Sequence, residues 1–212
     1  MFVISADQKS SRTTRDLVAQ WREVLNRDYA DTLTLPADRN AGDEVQVLTD
    51  DAATVLHIAL RLARSGSWSV GIGVGELLVP LPEDVNEAQG FGLVYARRAV
   101  ERAQKTGDRV PLAVSGPDAD IAAEAEAVLR LIGQIVSTRT DAEWKVLDLM
   151  TPGARGQQKF IAEELGITTQ AVSKAVVRSH WVEEWACRPA AARLLDLVYG
   201  PKSLPEASLP YR

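Results

Sequence analysis

The stretch QQKFIAEELGITTQAVSKAVVRSH, residues 157–180, carries the tightest spacing constraint in the chain. Two short helices that cross steeply need a small residue where they touch, and Ala162 supplies it. The turn between them needs a residue that tolerates positive φ, and Gly166 follows four positions later. Ile161, Leu165, Ile167, Val172 and Val176 are the expected shared core, and Thr168 can cap the second helix through its hydroxyl. The spacing predicts a helix-turn-helix, a motif whose second helix meets base edges and phosphates in the major groove. The expected DNA-contacting residues are Lys159, Thr168, Thr169, Gln170, Ser173, Lys174, Val177 and Arg178. Gln pairs well with adenine, while Lys159, Lys174 and Arg178 are the candidate phosphate contacts. A helical hairpin used only for protein contact is the competing reading.

Upstream, Thr140 and Glu143 have capping-box spacing and open a helix with Trp144, Val146, Leu147 and Leu149 inward. Pro152-Gly153 breaks it. Downstream, HWVEEWACRPAAARLLDLV (180–198) reads as a further helix that packs back or forms a dimer. Its Cys187 is the chain's one cysteine, which excludes an intramolecular disulfide, and is expected to be partly buried. Residues 140–181 resemble winged-helix regulators of the MarR type, although no wing hairpin is visible.

The first half alternates differently. FVISA (2–6) reads as a strand, 13–28 as a helix, TLTLPA (32–37) and VQVL (45–48) as strands around a Gly-Asp dipeptide, 52–64 as a helix and WSVGIGVG (68–75) as a strand. That β-α-β-β-α-β order predicts an α+β, ferredoxin-like (split βαβ) unit, its antiparallel sheet carrying both helices on one face. A loop over 76–89, a helix over 89–105, a strand over 110–116 and a long helix over 118–137 follow. The domains are expected at 1–116 (palm-like α/β), 117–139 (linker helix) and 140–199 (all-α helix-turn-helix), with an extended tail over 200–212. Gly71, Gly73 and Gly75 alternate along one strand face, which points to close helix packing rather than a phosphate cradle.

In a split βαβ sheet the first and third strands are central neighbours. Asp7, at the end of strand one, then lies beside the hairpin tip that carries Asp43 and Glu44. These three are the expected ligands of a divalent metal, Mg²⁺ or Mn²⁺, because hard cations take carboxylate oxygens. The competing reading makes Asp7 a loop cap and Asp43 an ordinary turn residue.

DQKSSR (7–12), AGDEVQ (41–46), SVGIGVGE (69–76) and GFGLVYARRAVERA (90–103) resemble the SatD family of bacterial proteins, over most of the chain. The first half is also similar to the catalytic palm of nucleotidyl cyclases and GGDEF domains. That resemblance implies metal-holding roles for Asp7 and Asp43, and nucleotide contacts for Lys9, Arg12 and Arg97. The hairpin reads Ala41-Gly42-Asp43-Glu44, an incomplete signature, and no Asn partner for the arginine is evident. No catalytic residue is assigned, and a palm that binds a nucleotide without turning it over is the balanced alternative to an enzyme.

The net charge of −5 argues against a bare basic domain that coats nucleic acid. It leaves room for a small basic surface, and predicts that homo-oligomers help DNA binding. Hydrophobic residues at 46% and charged residues at 25% fit a globular chain. No run reaches the ~20 apolar residues of a membrane span, and the start lacks a basic signal region, so a cytoplasmic location without membrane contact is expected. The expected partners are DNA and a nucleotide effector. A protein–protein adaptor is the third possibility.

Overall fold

The computed structural model describes residues 1–40, 42–107 and 110–200. Ala41 and the tail from residue 201 onward, part of the segment expected to be extended, lie outside the described residues. The fold is α+β. In chain order the elements are β1 (Phe2–Gln8), α1 (Val18–Asp28), β2 (Leu35–Asn40), β3 (Glu44–Thr49), α2 (Ala52–Ser65), β4 (Trp68–Val74), α3 (Phe91–Ala103), β5 (Leu112–Ser115), α4 (Ala119–Ser137), α5 (Asp141–Leu147), α6 (Gln157–Leu165), α7 (Thr169–Arg178) and α8 (Trp181–Val198). A 3₁₀ turn, Val85–Glu87, precedes α3.

The five strands form one sheet in the order β2-β3-β1-β4-β5. β1 runs antiparallel to both neighbours, with Asp7 opposite Glu44 on one side and Ser69 on the other. β5 joins β4 in parallel. Both sheet faces are buried. Phe2, Ile4, Ala6, Val45, Val47, Val70 and Ile72 point into the main core, which α1, α2, α4 and α8 close. The opposite face carries α3, which follows β4, while α1 and α2 pack together on the first face.

Alternating glycines set the α3 contact. A Cβ on Gly71 would stand 2.2 Å from the Val100 nitrogen, and one on Gly73 would stand 2.2 Å from the Ala96 nitrogen. Gly92, Ala96, Ala99 and Ala103 are the matching small residues on α3. The helix backbone therefore rides directly on β4, with no side-chain layer between them.

Two expected boundaries move. β2 begins at Leu35, and Pro36 lies inside it. A proline is tolerated there because β2 is an edge strand and its pairing shifts register between Leu35 and Asp38. α1 begins at Val18, five residues after the expected start. Buried Gln8 holds the preceding loop instead: its amide nitrogen donates to the Arg15 carbonyl at 2.7 Å, and its oxygen accepts from the Leu17 N–H at 2.8 Å.

α4, expected as a linker, buries Ala122, Ala125, Leu129, Ile132 and Val136 in the sheet core. α8 packs back and adds Ala191, Leu195 and Val198 to that same core. A boundary at residue 116 therefore cuts through one apolar cluster. A second cluster, built from Val146, Leu147, Ile161, Ala162, Val172, Val176 and Trp181, unites α5 to α7 with the start of α8. Cys187 is exposed, not partly buried, because it lies off the stripe of α8 that carries Glu184, Ala191, Leu195 and Val198.

The edge strand β5 is sealed by side chains. Arg130 donates to the Leu112 carbonyl at 2.7 Å, Glu126 accepts from the Val114 N–H at 2.9 Å, and Arg102 donates to the Val114 carbonyl at 2.8 Å. Glu126 also pairs with both arginines. No described helix is long and apolar enough to cross a membrane.

Candidate functional site

Two places gather the residues singled out in the sequence. The first is the α6–α7 pair. Gly166 ends α6 at φ +64, and the N–H of Ile167 returns to the Ala162 carbonyl at 2.9 Å. Ala162 is buried where the helices meet, with Ile161 and Val172 fully enclosed. Thr168 caps α7, its hydroxyl accepting from the Ala171 N–H at 3.1 Å. Ile167, expected in the core, is exposed instead, because the tight turn that ties its N–H to Ala162 leaves its side chain outside.

The outward surface of this pair carries Lys159, Thr168, Thr169, Gln170, Lys174, Val177 and Arg178, all exposed, with Ser173 half-buried among them. Val177 is 69% exposed, an apolar side chain on an otherwise polar helix face. Lys159 and Arg178 stand at 3.9 Å from Glu163 and Glu143, too far for tight pairing. At these exposures such pairs contribute little to stability, so both cations can exchange partners. Lys174 has no ion pair among the described residues.

The second place is the hairpin end of the sheet. Asp7, Lys9, Ser11, Arg12, Asp43 and Gln104 line a polar cleft of about 450 Å³. Ser11 donates to the Asp43 carboxylate, and the Gln8 N–H donates to the Asp43 carbonyl at 3.0 Å. Ser10 adopts φ +55, a left-handed conformation costly for a residue with a Cβ, and its carbonyl accepts from the Thr13 and Thr14 N–H groups. Burial pushes the Asp7 carboxyl above the usual carboxylate range. Gln104 opposes the rise, Asp43 and Glu44 add to it, and Arg97 opposes it. Lys9 is lowered by burial, and its ammonium donates to the Gly66 carbonyl at 3.2 Å.

Glu44 and Arg97 are absent from the lining of that cleft. The Glu44 carboxylate is buried and occupied, accepting from Asn40 at 3.1 Å and pairing with Arg97 at 3.1 Å. Arg97 divides itself between Glu44 and Glu101. Among the described residues, no three His, Cys, Asp or Glu side chains are grouped to hold a metal ion. The donor set facing the cleft is thus Asp7 and Asp43, two carboxylates rather than the expected three. Ser11, Ser69 and Gln104 belong to the cleft but were not foreseen; Ser11 follows the first strand closely, whereas nothing in the spacing marks Gln104.

Compared with models of protein families, with curated proteins and with solved structures, the chain finds no match.

Proposed function

We propose that the chain is a DNA-binding transcriptional regulator of the SatD type, in which α6 and α7 act as a helix-turn-helix and α7 enters the major groove. The observation that carries this reading is the surface of α7. Its start is capped by Thr168 and presents Thr169, Gln170, Ser173 and Lys174 outward, while Val172 and Val176 hold the opposite side in the core. Gln170 is placed to read a base edge, Val177 to meet a thymine methyl, and Lys159, Lys174 and Arg178 to neutralise phosphates.

On this reading the sheet unit is a ferredoxin-like, palm-type module that dimerises or senses a nucleotide. The order β2-β3-β1-β4 with antiparallel neighbours supports it. A homo-oligomer sets the spacing of two recognition helices, which an acidic chain needs for firm binding.

The test is fluorescence anisotropy of labelled genomic fragments across a salt series, with parent protein and Lys174→Glu. Parent affinity falls steeply with salt, and the variant binds more weakly on every sequence. Equal binding by the two proteins sinks the reading. Failure of the parent to bind any DNA at low salt transfers the helix pair to a protein–protein adaptor role.

A second reading rests on the Asp7–Asp43 cleft: a metal-dependent nucleotide-binding or cyclase-like palm. The desolvated Asp7 beside Asp43, with Lys9 and Arg12 on the same cleft, favours it. Asp7 and Asp43 would hold Mg²⁺ or Mn²⁺, which would bridge nucleotide phosphates. Calorimetric titration of Mn²⁺ into the parent and Asp7→Asn tests it, and binding unaffected by the substitution removes it.

A further inference from the structure

A further cavity lies at neither of these places. It opens between the turn after α1, the outer face of α2 and the middle of α8, and measures about 860 Å³. That volume suits a small organic molecule. Its walls are mostly apolar, with the Tyr29 and Trp185 rings, Leu56 and Pro189 among them.

The charged groups are shared in a particular way. Asp28 is shared by two guanidinium groups, Arg27 and Arg61, each at 2.7 Å. Glu184 is likewise shared by Arg188 at 2.5 Å and Arg139 at 3.1 Å. Counted over the lining, Arg27, Arg61 and Arg188 meet Asp28, Asp31 and Asp51, so the wall carries no net charge; what it offers an anion is the remaining guanidinium N–H groups of Arg61 and Arg188, each of which gives one nitrogen to its carboxylate. Arg61 on α2 and Arg188 on α8 both line the cavity, with His57 on α2 beside both of them.

The other two lining acids, Asp51 and Asp31, are placed differently. The Asp51 carboxylate is taken up as the cap of α2, accepting from the Ala53 and Thr54 N–H groups and the Thr54 hydroxyl. Asp31 is exposed in the turn after α1. The Tyr29 hydroxyl lies 3.4 Å from His57 Nδ1, and the Arg188 guanidinium stacks 3.8 Å over the Trp185 ring.

We propose that this cavity binds a small organic anion with a planar apolar body, its anionic head held between Arg61 and Arg188 and its body laid against Trp185 and Tyr29. A head of this kind is either a carboxylate or a phosphate monoester. Both accept hydrogen bonds from guanidinium groups. The occupant also touches both parts of the protein. Trp185 and Arg188 lie midway along α8, between Trp181 in the α5–α7 cluster and Leu195 in the sheet core. Occupancy therefore bears on how α8 holds the two clusters together. Binding stands apart from the DNA reading and is tested without DNA.

The experiment titrates the full chain with phenyl phosphate and with phenylacetate, using benzyl alcohol as the neutral control. Tryptophan fluorescence and calorimetry are the readouts. Saturable one-site binding by at least one anion, and none by the alcohol, is expected. The preferred head identifies itself by which anion binds. Arg188→Gln and Arg61→Gln each weaken binding tenfold or more. Ala53→Trp, an exposed position on the cavity wall away from the core, blocks binding while circular dichroism stays unchanged. Absence of saturable binding by either anion overturns the proposal, as does undiminished binding to Ala53→Trp.

Discussion

Arg139 Nη2 lies 3.1 Å from Glu184 Oε2 with both side chains almost wholly out of water, at 2% and 1% exposure. The pair ties the α4–α5 turn to α8. Arg139 also donates through Nε to the Ser179 carbonyl at 2.9 Å, and the second Glu184 oxygen is taken by Arg188. Removing Glu184 strands a buried guanidinium. Glu184→Ala should lower stability by about 3–5 kcal/mol, read as a lower urea midpoint at unchanged slope. A loss below about 1 kcal/mol would mean that the arginine finds water when its partner goes.

Replacing Gly73 by alanine places a methyl 2.2 Å from the backbone of α3. Neither side can yield by rotating a side chain, since both are backbone. Gly73→Ala should cost about 3 kcal/mol or more, whereas Gly42→Ala, where no atom lies within 4 Å, should cost less and only through its positive φ of 75°. Paired thermal melts compare the two. Equal losses would show that α3 lifts off β4 easily.

Glu126 satisfies the β5 edge and neutralises two arginines at once. Glu126→Ala leaves the outward Val114 N–H without its acceptor. The expected result is a loss of about 1–3 kcal/mol, together with concentration-dependent association seen by light scattering. A variant that stays as disperse as the parent would show that the strand is too short to template pairing.

Burial lowers the His57 imidazole, Arg188 and Arg61 lower it further, and Glu184 opposes them. Tyr29 faces it as a neutral group. The folded state therefore binds the proton less readily than the unfolded chain does. Stability is full above the unfolded imidazole range and falls as pH drops through it, between about pH 7.5 and 5.5. His57→Gln should flatten that part of the profile in urea midpoints taken across the window. An unchanged slope would assign the acid sensitivity to carboxylates.

Much of the sheet unit was legible because its signals are local. A short apolar run marks β1, alternation marks β3 and β4, Asp51 and Gly66 bracket α2, and Gly71 and Gly73 announce a close helix. The caps at Thr140 and Thr168 were equally readable, since each is a hydroxyl set three residues from the N–H that it accepts. What stayed hidden depends on distant partners. The apolar stripe of α4 looks the same in a connector as in a core helix, and only the return of α8 decides between them. The large cavity draws Tyr29, His57, Arg61, Trp185 and Arg188 from three separated segments, and no spacing rule joins them. Glu44 looked like a free ligand beside Asp43, but Arg97 on α3 claims its carboxylate across the sheet.

The place of α8 in the sheet core has a consequence for how the chain is made. Ala191, Leu195 and Val198 fill space that β5, α2 and α4 leave open, and Gly116 is bare where Val198 docks, a Cβ there standing 2.3 Å from its Cγ1. A ribosome releases the whole sheet, and then the α5–α7 cluster, before it releases that last wedge. During synthesis the nascent chain must carry a half-covered apolar groove while its later helices emerge, and chaperones that bind exposed apolar surface have that interval in which to act.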